Sequence, residues 1–124
     1  MMNWMAVGAL FAFLGVALGA FGAHALRTRI TPRDLEIFDV AVRYQLTHAL
    51  ALLITGLILW WRGLDVSRLL VITPWLFTAG IILFSGSLYV LVLTGKRWLG
   101  AVTPLGGVLF LAGWLLLALA LWQK

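Results

Sequence analysis

The sequence predicts an all-α integral membrane protein: a single transmembrane domain, residues 1–124, folded as a bundle of four transmembrane helices. Three observations carry that reading. Hydrophobic residues make up 64% of the chain and charged ones only 10%, whereas soluble domains average about 45–50% apolar and about 25% charged. A soluble chain this short buries only about 60–70% of what it exposes when unfolded, so the solvent for these side chains must be lipid. The apolar residues also fall into four separable runs, and about 20 helical residues at 1.5 Å each cross ~30 Å of hydrocarbon. Finally, the nine Lys and Arg lie in or beside the short gaps between runs, where membrane proteins place them. The formal charge of +5 therefore describes loops, and no nucleic-acid partner is expected. With no cysteine in the chain, disulfides, thiolate metal sites and thiol catalysis are excluded.

The first helix is expected over about residues 3–26, which carry no charge. Ala23-His24-Ala25 offers a small-x-small cleavage site, but no Lys or Arg precedes the run. The run is also long for a signal, so the segment reads as a retained helix. Gly8, Ala12, Gly15, Gly19 and Gly22 recur at steps of four, three, four and three, which makes one stripe along one face. A stripe of this kind is a packing seam that lets another helix backbone approach closely. Ala17, Ala20 and His24 lie on roughly the opposite face, which predicts a helix sandwiched between neighbours.

The second helix is expected over about 32–61. Its apolar run, Thr47 to Trp61, has only fifteen residues, so the charged lead from Pro32 to Leu46 must supply part of the crossing. Such a helix begins outside the lipid and enters it near Tyr44. The third and fourth helices are expected over about 69–94 and 98–122. All three prolines follow threonine, at Thr31-Pro32, Thr73-Pro74 and Thr103-Pro104. That suits threonine as a cap and proline as the first helical residue. Thr31 and Asp34 resemble a capping box with aspartate in the glutamate's place. At Pro104 two readings stand: a kink in a helix begun near Trp98, or a non-helical shoulder from Trp98 to Thr103.

Four crossings put both termini on one side, together with the loop between helices two and three. That side carries Arg62, Arg68 and Lys124, against Arg27, Arg29, Arg33, Arg43, Lys96 and Arg97 on the other. The positive-inside tendency then places the more basic loops in the cytoplasm and both termini outside. Trp4, Trp60, Trp61, Trp75 and Trp122 all fall at the terminus-bearing side, as an interfacial aromatic belt does. Asp39 and Arg43 stand four apart in the acid-first order that favours a helical ion pair.

Folding these hairpins gathers polar residues at the more basic side. His24 ends helix one; Tyr44, Gln45 and His48 begin the buried part of helix two; Ser85, Ser87 and Tyr89 come from helix three, and Thr103 from helix four. Polar groups inside a membrane are costly unless paired, so they face the bundle interior or a wet cavity. Serine, threonine, tyrosine and histidine also serve as interhelical glue, so the cluster reads either as a binding site or as structural support. His48, and with it His24, is expected to point inward and to hydrogen-bond within this set, because a neutral imidazole both donates and accepts.

The ordered motifs are Gly19-Ala-Phe-Gly-Ala-His-Ala-Leu26, Tyr44-Gln-x-x-His48-Ala-Leu50, Phe84-Ser-Gly-Ser-Leu-Tyr89 and Leu99-Gly-x-x-Thr103-Pro-Leu-Gly-Gly107. Together they resemble family 423 of the domains of unknown function, the small YgdD- and YwdK-like bacterial inner-membrane proteins. The resemblance implies a four-helix protein of the bacterial cytoplasmic membrane and brings no reaction or ligand with it. The residues favour a non-enzymatic bundle that binds a lipid, a peptide or a membrane-protein partner. The alternative is a small transporter or channel working as a homo-oligomer, a dimer or trimer, with a basic cytoplasmic mouth. In size and helix count the chain resembles small multidrug transporters, which need an acid within the membrane; here Asp34, Glu36, Asp39 and Asp65 all lie in or near loops. An enzyme ranks last, for no metal-ligand set and no serine with a histidine–acid relay is recognisable. No cofactor or metal is expected, and the lipid bilayer is the one partner implied throughout.

Overall fold

A computed structural model describes residues 2–123. Four helices long and apolar enough to cross a membrane follow one another: α1 (Trp4–Leu26), α2 (Pro32–Arg62), α3 (Arg68–Thr94) and α4 (Arg97–Trp122). No strand occurs among the described residues. Large apolar side chains such as Leu10, Phe13, Leu50, Ile54, Ile82, Leu93, Leu111 and Leu115 cover the outer surface. In water that surface would be prohibitively apolar; in a bilayer it is the expected covering.

The helices start where their sequences offer a cap. Asn3 Oδ1 accepts from the Ala6 N–H at 3.1 Å, Thr31 Oγ1 from that of Asp34 at 3.1 Å, and Ser67 Oγ from that of Leu70 at 3.3 Å. Only one of the three Thr–Pro pairs acts as expected. Pro32 opens α2 behind the Thr31 cap, but Pro74 lies inside α3, which begins earlier at the Ser67 cap. Thr73 there turns its hydroxyl back to the Leu69 carbonyl at 2.8 Å. At the third pair, a tight 3₁₀ turn over Arg97–Ala101 leads into regular α-helix from Thr103 to Trp122. That is neither a mid-helix kink nor a non-helical shoulder. Gly95 stops α3 in the left-handed region, at φ 72°, a conformation glycine adopts without a Cβ penalty.

The second helix is one unbroken rod of 31 residues, roughly 46 Å long at 1.5 Å per residue. Its 18 residues from Tyr44 to Trp61 carry no charge, a length of about 27 Å that matches the hydrocarbon core. Arg43 and Arg62 therefore bracket the lipid-spanning part.

Helix α1 lies along α2, α3 lies along α4, and α2 meets α3 to join the two hairpins. Both hairpins are closed by side chains seated over glycines. Leu46 of α2 fits against Gly15 of α1, and Phe38 against Gly22; on the other hairpin Phe77 sits against Gly113 and Phe110 against Gly80, while Gly106 lies against the backbone of α3 at Phe84. At Gly8 the approach is backbone to backbone: a Cβ there would stand 2.8 Å from the Ala49 oxygen and the Leu53 nitrogen. The stripe of α1 thus packs within the subunit, although Ala12 sits at its edge and borders an outward groove with Ala9, Phe13, Val16 and Ala17. The sandwiched position expected for α1 is not what forms. Only 17% of its apolar span is buried, against 44% for α2 and α3. One seam of glycines is enough to dock α1 on one neighbour, and its alanine face is left to lipid.

At the basic end the two hairpins are tied by Arg97, whose guanidinium donates to both Asp34 carboxylate oxygens at 2.9 and 3.1 Å. The capping box at Thr31 is therefore half made, because the Asp34 carboxylate faces Arg97 instead of the cap. Arg97–Asp34 is the one ion pair among the described residues, so the pair expected between Asp39 and Arg43 does not form. Both of those side chains are exposed, where an ion pair gains little over hydration.

Candidate functional site

A helix turns about 100° per residue, and that rotation separates the polar residues that share one membrane level. Tyr44 and His48 are a turn apart and look towards α4. Gln45 lies round the side of α2: its Nε2 donates to the Phe11 carbonyl of α1 at 2.9 Å, and its Oε1 accepts from the Tyr89 hydroxyl of α3 at 2.6 Å. On α3, Ser85 and Tyr89 share the face towards α2, where Ser85 donates to the Ala41 carbonyl at 2.7 Å. Ser87 points the opposite way and meets Thr103 of α4 at 2.6 Å between hydroxyl oxygens. The single cluster expected from the sequence is thus divided into separate interhelical links. His24 belongs to none of them. It lies in the π-helical turn Gly22–Leu26 that ends α1, is exposed, and its ring makes no hydrogen bond among the described residues.

His48 is buried in an aromatic setting. Its ring stacks on Phe110 with centroids 3.5 Å apart, and Phe77 and Trp114 approach at 5.6 and 5.8 Å. Nδ1 lies 2.7 Å from the Tyr44 carbonyl oxygen, and Nε2 lies 2.9 Å from the Trp114 indole nitrogen. A carbonyl only accepts and an indole N–H only donates. The two contacts therefore assign the tautomer: Nδ1 carries the proton and Nε2 accepts. Both nitrogens of the neutral ring are committed within the bundle. His48 was expected to point inward, and it does, but its side-chain partner is Trp114, which the polar pattern did not include. The legible signal for Trp114 was its depth. It is a tryptophan far from either end of an apolar run, and an indole N–H at hydrocarbon depth needs an acceptor.

Above this pair a groove of about 750 Å³ opens sideways between α2 and α4, with Phe84 of α3 at its back. Phe110, Trp114, Leu111, Val108 and Gly107 line its apolar length, and Arg43, Tyr44, Thr47 and Pro104 frame its upper end. Pro104 and Trp114 are ten residues apart on α4, so the groove runs for about 15 Å along the helix. Its volume lies within the ~300–1,000 Å³ of ligand pockets. Of the sequence-predicted site residues, only Tyr44 and His48 belong to it. Gln45, Ser85, Ser87, Tyr89 and Thr103 are spent on holding helices together.

The family profile described as "Protein of unknown function (DUF423)" matches residues 18–107. The chain belongs to this family. The match runs from the middle of α1 into the first turns of α4, and so includes Tyr44 and His48 but ends before Phe110 and Trp114. A UPF0382 membrane protein of Staphylococcus aureus is 48% identical over 92% of this chain and 90% of its own length. One from Staphylococcus haemolyticus is 43% identical over the same shares, and the UPF0382 membrane protein YwdK of Bacillus subtilis is 42% identical over 92% and 91%. No solved structure matches the chain. These bacterial relatives are named as membrane proteins, in accord with the four apolar helices.

Proposed function

We propose that the protein is a non-enzymatic lipid-binding bundle of the bacterial cytoplasmic membrane, in which the α2–α4 groove holds one acyl chain of a bilayer lipid. The observation that carries this reading is the groove itself: concave, apolar along its length, open sideways at the depth of the hydrocarbon, and polar only at its upper end. Its floor supports binding over catalysis, since both nitrogens of His48 are occupied and Trp114 spends its only donor on one of them. Transport would require several copies of the chain, because Phe38, Leu52, Leu70 and Phe77 fill the interior of one bundle. The charge pattern supports an orientation with the loops around Arg29 and Lys96 in the cytoplasm and both termini outside.

Gly107 offers the test. A Cβ at this position would meet Phe84 only at ordinary contact distance, 3.9 Å, so Gly107→Leu fills the groove without forcing the helices apart. Native mass spectrometry of the detergent-purified protein should find one lipid on the wild type and little on Gly107→Leu. Gly86→Leu, placed in the shallow groove on the α1 side, is the control and should keep the lipid. Equal retention by the wild type and a folded Gly107→Leu would sink the proposal.

A further inference from the structure

We infer that the groove selects a phospholipid with an anionic headgroup, and that Arg43 and the Tyr44 hydroxyl are what recognise it; this rests on the groove being a lipid site. Depth is the first argument. Tyr44 to Trp61 is the uncharged part of α2, so Arg43 stands at the edge of the hydrocarbon, where lipid phosphates lie. His48 is five residues further in, about 7.5 Å deeper, at the level of the first acyl carbons. An acyl chain reaching towards Trp114 therefore places its phosphate beside Arg43.

The second argument is the inventory of donors and acceptors at the upper end. Beyond the helix ladder, Arg43 and Tyr44 enter hydrogen bonds through their backbone carbonyls, which accept from Thr47 and from His48; their side chains make none among the described residues. The guanidinium and the phenol are left to a ligand. A guanidinium offers donors alone, and its fork matches the oxygens of a phosphate. Thr47 has given its proton to the Arg43 carbonyl, and the His48 and Trp114 nitrogens are bonded to each other. No carboxylate lines the groove. Asp39, one turn towards the loop, makes no ion pair with Arg43. A headgroup here meets a guanidinium and a hydroxyl that have no side-chain partner among the described residues, a setting that favours a negative headgroup rich in acceptors. A choline headgroup would instead bring its own ammonium against Arg43.

The third argument is the wider field. Arg27, Arg29, Arg33 and Lys96 are exposed at the same end, and clusters of this kind attract anionic lipid. Only Arg97 among its neighbours is neutralised, by Asp34.

The test titrates the delipidated full-length protein with phosphatidylglycerol and phosphatidylcholine of identical acyl chains, with bound lipid counted by native mass spectrometry. Both lipids offer Arg43 a phosphate, so discrimination comes from the choline ammonium held against the guanidinium, a repulsion that supports a preference of about tenfold for phosphatidylglycerol. Arg43→Gln should abolish that preference, Arg43→Lys should keep part of it, and Asp39→Asn should raise it. Because the guanidinium bonds nothing among the described residues, Arg43→Gln should melt like the wild type. Equal retention of the two lipids by the wild type, or an undiminished preference in Arg43→Gln, overturns the inference while the groove stands. Retention of both lipids by Gly107→Leu as by the wild type overturns the groove and the inference together. Displacement of phosphatidylglycerol by an equal concentration of oleate overturns the choice of phospholipid in favour of a fatty-acid carboxylate.

Discussion

His48 shows how little latitude a single buried side chain has at this depth. Each of its nitrogens meets a group that can only accept or only donate, so one tautomer satisfies both contacts. Removing one partner leaves the other unsatisfied in an apolar surround, at a cost of about 1–3 kcal/mol. His48→Phe and Trp114→Phe should each destabilise the bundle, and the double variant should lose less than the sum of the two. The expected coupling, on the order of 0.5–2 kcal/mol, can be read from a cycle of unfolding titrations in sodium dodecyl sulfate. Strict additivity would show that the 2.9 Å contact contributes nothing. Thr78 Oγ1 is buried with no hydrogen-bond partner among the described residues.

Between helices, the decisive feature is what stands over each glycine. A methyl at Gly8 would meet the backbone of α2, which cannot move aside. At Gly15 it would meet the end of the Leu46 side chain at 2.7 Å, and at Gly19 the Val42 side chain at 3.2 Å. Alanine substitutions should therefore fall in the order Gly8, Gly15, Gly19 from most to least damaging. The first should cost about 1–3 kcal/mol, as overpacking does, and the last much less. Thermal unfolding in detergent measures the series, and a Gly19→Ala protein less stable than Gly8→Ala would contradict the packing described. The stripe was legible because 3.6-residue periodicity shows directly in the spacing of small residues. Its partner was not, since small residues announce a close approach without naming what approaches. The same holds on the second hairpin, where Gly113 receives the Phe77 ring and Gly106 the backbone of α3 at Phe84.

For the molecule as a whole, charge and fold are linked at one end. The loops after α1 and after α3 come together through Asp34 and Arg97, so the more basic loops form one face. If that face is cytoplasmic, a cysteine introduced at Arg29 should react with an impermeant maleimide only from the cytoplasmic side, and one at Gln123 only from outside. Labelling in the reverse sense would invert the orientation. Lys124, which completes the charge count on the terminal side, lies outside the described residues. The ion pair between the loops was not legible, because Asp34 and Arg97 are 63 residues apart and each had nearer candidate partners.

The sequence by itself determined the class of the protein, its four crossings, the small-residue stripe on α1 and the uneven distribution of charge. All of these are local or periodic properties. Hydrophobicity is additive along a run, and helical spacing fixes which residues share a face whatever that face later touches. Only the tertiary structure decided that α1 is peripheral, that the polar residues form separate links, and that the concave surface lies between α2 and α4. Those outcomes depend on how each helix is rotated about its axis. Ser85 and Ser87 sit at one depth, yet a rotation of about 200° sends them to different neighbours. Trp114 and Arg43, on which the functional reading turns, acquire meaning only once α4 is laid beside α2.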